Sequence, residues 1–348
     1  MNQDIKERDP LVSIIIPNFN RGPIIEETIT SVLKQSYDNW ECLIVDDCST
    51  DNSIEIIKSY CNKDSRFKFY QRDREPKGAP TSRNIGLCKS NGEFIIFLDS
   101  DDLLAKDCLL NRVKVINDIP GFDFWVFPTA IFKLTPDDST KKWNLLHKPQ
   151  EDLIRFLLND TPWSTTGAIW KREAIIGIEG FNENALCWQD WELHLRALLS
   201  GYKYYKSNNS CFDSFYRERG PKSEKTIGSL HNELSHIKFR KKLFTDFYYR
   251  IKKTDDRQIV RDAFSVLFFR IFLEIKNNED KMEEKQLVHF FNTEHLYPKF
   301  DIFLFRLIAI KINNKYIHRK KNSIIYKVLK IRNKETYFNK VNSTYKSV

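Results

Sequence analysis

Four short apolar runs in the first hundred residues, each separated from the next by a helix-like stretch, constrain this chain more than any other feature. Leu11–Pro17 (LVSIIIP), Trp40–Val45 (WECLIV), Phe67–Tyr70 and Gly92–Leu98 (GEFIIFL) are rich in β-branched and aromatic residues and nearly continuous in hydrophobicity. Strands buried on both faces have that composition. Between them, Ile24–Gln35 places Ile25, Ile29, Val32 and Leu33 at helical spacing. Ser53–Cys61, preceded by the capping side chains of Thr50, Asp51 and Asn52, and Ala79–Ser90 read as two further helices. Strands alternating with helices at this interval predict an α/β fold with a mostly parallel sheet and helices on both faces.

In such sheets ligands bind beyond the carboxyl ends of the strands. Each run here empties into a polar motif: PNFN after the first, DDCSTDNS after the second, QRDRE after the third and DSDD after the fourth. In Asp99-Ser100-Asp101-Asp102, clustered carboxylates repel one another unless a cation or hydrogen-bond donors compensate. A hard divalent ion, Mg2+ or Mn2+, meets that need and can bridge carboxylates to a diphosphate. A helix-capping acidic turn is the plainer alternative. Asp47, at the second strand end, can accept from a ribose hydroxyl or a pyrimidine N–H. The first turn lacks the G-x-G-x-x-G of dinucleotide sites, and no G-x-x-x-x-G-K-[ST] of a P-loop occurs.

These residues, taken in order, resemble glycosyltransferase family 2, the inverting GT-A enzymes that use nucleoside-diphosphate sugars. The resemblance is carried by VSIIIPNFNR (12–21), IVDDCSTDNS (44–53), GAPTSRNIGL (78–87), GEFIIFLDSDD (92–102) and GFNE…WQDWELHLR (180–196), and covers about residues 10–215. It implies a GT-A, Rossmann-like fold. It also implies transfer of a hexose or N-acetylhexosamine from a nucleotide sugar, UDP-linked by preference, to a hydroxyl of a glycan or lipid-linked acceptor in surface polysaccharide synthesis. By the same resemblance Pro17 and Phe19 form a lip against the base, Asp47 reads the uracil N–H and Arg83 contacts base or phosphate. Asp99 and Ser100 lie near the donor ribose, and Asp101 holds Mn2+ or Mg2+. Asp190 is the implied catalytic base. Gln189-Asp190 stands where many relatives have Glu-Asp. An N-cap for the following helix is the alternative role for Asp190. Two other readings compete. A catalytically silent nucleotide-sugar or glycan-binding subunit would need Asp101 or Asp190 to be idle, and a sugar-1-phosphate nucleotidyltransferase would need a glycine-rich loop where PNFNR stands.

Beyond residue 120 the expectations are one or two strands over Phe122–Leu134, a helix over Asp152–Leu158, a strand over Thr165–Trp170 and an amphipathic helix over Trp188–Ser200. Strand signals fade after Lys222. The expected division is therefore a catalytic domain over 1–220 and a helical, basic region over 221–348. The basicity is confined to the end of the chain. Residues 311–348 hold eleven Lys or Arg against Glu335 alone, a net +10, so residues 1–310 carry −1 of the overall +9. Tyr316–Lys330 can lie on an anionic membrane surface near a lipid-linked acceptor or pack on its own domain. Nucleic acid is not an expected partner, because acidic strand ends dominate the rest. The polar start of the chain and the shortness of its apolar runs lead us to expect a cytoplasmic protein, at the inner face of the cell membrane if the tail binds there. Seven scattered cysteines without a C-x-x-C pair speak against a disulfide framework or structural zinc, and most are expected to be buried.

Overall fold

The computed structural model describes residues 8–139, 141–148, 151–209, 211–218, 233–253 and 257–296. Strands β1 (Val12–Asn18) and β2 (Trp40–Asp46) are buried along their whole length. Helix α1 (Ile25–Leu33) joins them, α2 (Ser53–Lys63) leads into β3 (Phe67–Gln71), and α3 (Ala79–Lys89) into β4 (Phe94–Phe97). The three pairings β1–β2, β2–β3 and β1–β4 are parallel. Ile14 and Ile16 face one cluster with Ile25, Ile29 and Val32, whereas Ile15 faces the other, the two-residue alternation a strand requires.

The chain continues through β5 (Leu103–Leu104), α4 (Cys108–Asp118), β6 (Phe124–Val126), β7 (Thr129–Phe132), β8 (Lys141–Lys142) and α5 (Asp152–Leu157). After these come β9 (Ala168–Lys171), α6 (Arg172–Gly177), α7 (Gln189–Leu199), β10 (Tyr204–Lys206) and β11 (Ser214–Arg217). The main sheet has the order β10-β6-β9-β4-β1-β2-β3, and β9 runs antiparallel to both of its neighbours. A small sheet, β5-β11-β7-β8, stands beside it. The apolar run 122–134 therefore makes two strands in two sheets. It breaks at Pro128, which has no N–H to continue a ladder.

Helix α3 packs closely on β1. A Cβ at Gly86 would fall 2.4 Å from Cγ2 of Ile15, so glycine there sets how near the helix sits. Past the expected boundary, whose residues 219–232 lie outside the described set, come α8 (Leu234–Lys252), α9 (Gln258–Asn277) and α10 (Lys281–Thr293). Helix α9 packs on α8 and α5. Its Phe264, Leu267, Phe268 and Phe272 belong to one contiguous apolar cluster with Ile15, Leu43, Ile95 and Phe97 of the sheet. The basic tail lies outside the described residues. Among those described, no helix is long and apolar enough to cross a membrane.

Candidate active site

Strand order reverses at β1, which lies between β2 and β4. The crevice at such a switch point is where open α/β sheets bind ligands, and the motifs after β1, β2 and β4 meet there. Buried Asp46 ties the first two loops together. One carboxylate oxygen accepts from Asn18 Nδ2 at 2.8 Å and from Ser49 Oγ at 2.6 Å, and the other from the Ser49 N–H at 2.8 Å. Asp51 accepts from the Gly22 N–H at 2.8 Å, and Asn20 Oδ1 from the Thr50 N–H at 2.8 Å. Of the expected capping side chains only Asp51 reaches the start of α2, accepting from the Ser53 N–H at 3.0 Å, while Asn52 at the N-cap makes no side-chain capping bond and Thr50 joins the two loops instead.

Of the expected lip, Pro17 is buried inside β1 in register with Val45, and Phe19 is exposed just beyond the strand. Asp47 follows β2, and its Oδ1 accepts from Arg72 Nε in an ion pair. That bond is the main reason the guanidinium of Arg72 holds its proton above its ordinary range. Arg72 also donates through Nη1 to the Arg74 carbonyl at 2.7 Å and to Glu75 at 3.1 Å. The QRDRE motif had pointed to this strand end, but not to Arg72 as the partner of Asp47.

Buried Arg83 spans the crevice. Its Nη2 donates to Asp99 Oδ1 at 2.5 Å, its Nη1 to Gln189 Oε1 at 3.0 Å, and its guanidinium lies 4.8 Å from the Phe181 ring centre. One side chain therefore joins the turn after β4 to the start of α7. Asp190 is the second residue of that helix, not its N-cap, which is Trp188. Its half-buried carboxyl is pushed above the usual carboxylate range, chiefly by burial and also by the charge of Asp99. The Trp191 N–H and the Arg83 charge oppose the shift.

Ser100, Asp101 and Asp102 are buried in a turn closed by the Asp102 N–H on the Asp99 carbonyl at 3.0 Å. Arg217 grips this turn. Its Nε donates to the Asp101 carbonyl at 2.8 Å, its backbone N–H to Asp102 Oδ1 at 3.0 Å and its Nη2 to Glu27 at 2.6 Å, with the guanidinium 4.5 Å from the Phe132 ring centre. Arg217 is thus tied into the fold through its Nε, its Nη2 and its backbone N–H. Arg219 lies outside the described residues. The carboxylate of Asp101 is 4.0 Å from Arg21 Nε. Among the described residues, no three His, Cys, Asp or Glu gather as a metal cage. A Mg2+-like ion does not need one, since one or two carboxylates suffice when substrate phosphates supply the other oxygens. Asp101, with Asp99 two residues away, offers that hard oxygen donor set.

On the remaining side, Trp163 is 1% exposed and packs against Phe124 and Phe156, so it is a core residue and has no face open to a sugar. Ser164 is tied to Thr129 at 2.8 Å. His194 is buried against Trp170. All seven cysteines are free, but Cys42, Cys108 and Cys187 alone are buried. The expectation that most would be buried does not hold, since Cys48, Cys88 and Cys211 lie on loops or helix faces open to solvent.

A switch-point crevice with an acidic turn at one side and a second acid on a facing helix, set in this mixed sheet, defines a GT-A nucleotide-sugar fold. Solved structures agree. Staphylococcus aureus TarS 1–349 in complex with UDP-GlcNAc has a TM-score of 0.54 at 18% identity, covering 76% of this chain and 81% of that one. A mannosyltransferase from Pyrobaculum calidifontis in complex with GDP-Man and Mn2+ has a TM-score of 0.51 at 18% identity, covering 87% of each chain. At such identities the likeness is one of fold. Residues 13–175 match the model of glycosyl transferase family 2. The chain is 32% identical over 199 residues to TuaG of Bacillus subtilis, a glycosyltransferase named for teichuronic acid biosynthesis, covering 57% of this chain and 76% of that one. Several other curated relatives are matched over less than half of their own length. The chain belongs to glycosyltransferase family 2 and is a glycosyltransferase.

Proposed function

We propose that this enzyme moves a hexose or N-acetylhexosamine from a UDP-sugar, with inversion, to a hydroxyl of a glycan or lipid-linked acceptor used in surface polysaccharide synthesis. The observation that carries the reading is the Arg83 bridge, which joins Asp99 of the acidic turn to Gln189, the chain neighbour of Asp190 at the start of α7. Asp190 takes the proton of the acceptor hydroxyl as its oxygen attacks the anomeric carbon. The bond to the diphosphate breaks on the opposite face, and the sugar inverts. A carboxylate held above its usual range is the better proton acceptor for this step. Asp101 would hold Mn2+ or Mg2+, which supplies charge neutralisation for the departing diphosphate, with Asp99 toward the donor ribose.

The two solved neighbours carry different nucleotides, so fold alone does not choose the base. Asp47 supports uracil. One of its oxygens is engaged by Arg72, leaving the other to accept. A single acceptor suits the lone N3–H of uracil better than the two-donor edge of guanine. The acceptor class rests on the relatives' printed names and on the basic tail. We place the enzyme on the cytoplasmic side of the cell membrane, with 316–330 against anionic lipid, and with 1–220 as the catalytic unit.

Calorimetric titration with UDP, GDP and dTDP, each with and without Mn2+, tests this directly. Metal-dependent UDP binding that is lost in Asp101→Ala is the expected result. Absence of nucleotide binding under every condition would overturn the donor assignment, and tighter binding of GDP would overturn the base.

A further inference from the structure

The turn that delivers Asp190 is held from outside the nucleotide-binding fold. Trp188 adopts the left-handed backbone conformation, with φ 58° and ψ 34°, and as the N-cap residue of α7 it makes no side-chain capping hydrogen bond. Both features are locally unfavourable. Large residues rarely adopt positive φ, and tryptophan lacks the short polar side chain that caps helix starts. Strained backbone of this kind persists only where surrounding contacts over-determine it.

Those contacts come from α8. The Trp188 ring lies 5.2 Å from Phe244 and 5.3 Å from Trp191, and Trp191 in turn packs on Phe244 at 5.5 Å and Phe247 at 5.6 Å. The Trp191 Nε1–H donates to the Phe156 carbonyl at 2.7 Å, which fixes the far end of the stack. One residue before the turn, buried Cys187 has its sulfur 3.9 Å from Nη1 of Arg240. Arg240 is itself 1% exposed, and its Nη2 is anchored on Glu274 of α9 at 2.5 Å. Residues 187, 188 and 191 are thus gripped from behind by α8, and Gln189 is held from the front by Arg83.

We propose that Phe244 and Arg240 are positioning residues for the transfer reaction. They hold Trp188 in its left-handed conformation and so aim Asp190 into the crevice. The proposal rests on Asp190 being the base. It gives the helical region beyond residue 233 a part in turnover, because a misplacement of about 1 Å at a reacting group can lower the rate a hundredfold.

Phe244→Ala, Phe244→Leu and Trp188→Gly, made in the full chain, test it. Hydrogen–deuterium exchange needs no substrate. Phe244→Ala should accelerate exchange across 187–193 and leave peptides over 44–53 and 99–102 as in the parent. UDP release by hydrolysis is then followed on whichever UDP-hexose or UDP-N-acetylhexosamine the parent turns over. Phe244→Ala should lower kcat about tenfold or more, with donor KM and the calorimetric Kd for UDP within twofold, and Phe244→Leu should recover most of the loss. Trp188→Gly relieves the backbone strain but removes the gripped ring, so it should lose kcat without losing UDP binding.

Unchanged protection over 187–193 in Phe244→Ala overturns the proposal, as does a parallel loss of kcat and UDP affinity, which marks a merely structural role. Full kcat in Trp188→Gly overturns it as well. Asp190→Asn separates the two readings. If that variant turns over normally, the base assignment fails and the positioning role falls with it. If it is dead and Phe244→Ala is fully active, the positioning role alone fails.

Discussion

At the scale of single residues, Asp190 brings two requirements into conflict. Burial raises its carboxyl above the ordinary range, so the native state binds its proton more tightly than the unfolded chain does. Stability from such a group is fully present below the unfolded pKa and is lost as pH rises through the folded one. At neutral pH the ionised carboxylate is therefore a net burden on the fold. Asp190→Asn should abolish turnover by about 10²–10⁴-fold, the usual worth of a general base. It should leave UDP binding intact and melt no lower than the parent at pH 7. The acid limb of the parent's kcat/KM profile should lie above the normal aspartate range. A thermal melt and a pH–rate series check both, and a variant clearly less stable at pH 7 would contradict the assignment. Asp99 and Asp101 stand out in the sequence because carboxylates clustered after a buried strand are a local signal, whereas Asp190 is reached only through the order of motifs in the resemblance to glycosyltransferase family 2. Arg217 and Arg72 could not be read that way. Arg217 finds its meaning at a carbonyl 116 residues away, and Arg72 at a carboxylate 25 residues away.

At the scale of elements, the four parallel strands and their helices were legible because each carries its own periodic signal. That β1 to β4 pair in parallel follows from the βαβ pattern, but the place of β1 between β2 and β4 and the antiparallel β9 do not. Two-residue strands such as β5 and β8 have too few side chains to carry any period, and they exist only because β11 and β7 reach them. One junction between elements makes a measurable prediction. At the end of the sheet opposite the crevice, buried Glu41 accepts from Ser13 Oγ of β1 at 2.7 Å, Lys68 Nζ of β3 at 2.6 Å and the Asn91 N–H ahead of β4 at 2.6 Å. Burial alone would raise this carboxyl, but the bonds from Lys68, Ser13 and Asn91 outweigh it and lower it from 4.5 to about 2. A depressed carboxylate contributes stability that is present above its unfolded pKa and lost as pH falls through the folded value. Glu41→Gln should cost about 3 kcal/mol at pH 7 by linkage. The gap between variant and parent should close between pH 4.5 and about 2. Urea melts at several pH values measure it, and a gap independent of pH would point to packing in place of charge.

At the scale of the whole molecule, composition changes near residue 220, yet the apolar interior does not. The sequence shows a loss of strand signal and a rise in aromatic helix there, which reads as a boundary. What it cannot show is that the helices beyond share one contiguous cluster with Ile15, Leu43 and Phe97 of the sheet, through α5 and α7. The Trp188–Phe244 stack and the Arg240 contact to Cys187 cross the same junction. Regions that share a core should unfold together, whereas domains joined by small polar interfaces unfold separately. The chain carries its own reporters for this. All seven tryptophans, from Trp40 to Trp191, precede residue 220, and α8, α9 and α10 add long helices after it. In a urea melt, tryptophan fluorescence should therefore follow the first region, while far-ultraviolet circular dichroism follows both. Coincident midpoints are expected, with Phe244→Ala shifting the two curves together. If fluorescence and dichroism separate by more than their errors, the helices form an independent unit. The grip on the catalytic turn would then be a contact between domains, too weak to hold a strained residue in place.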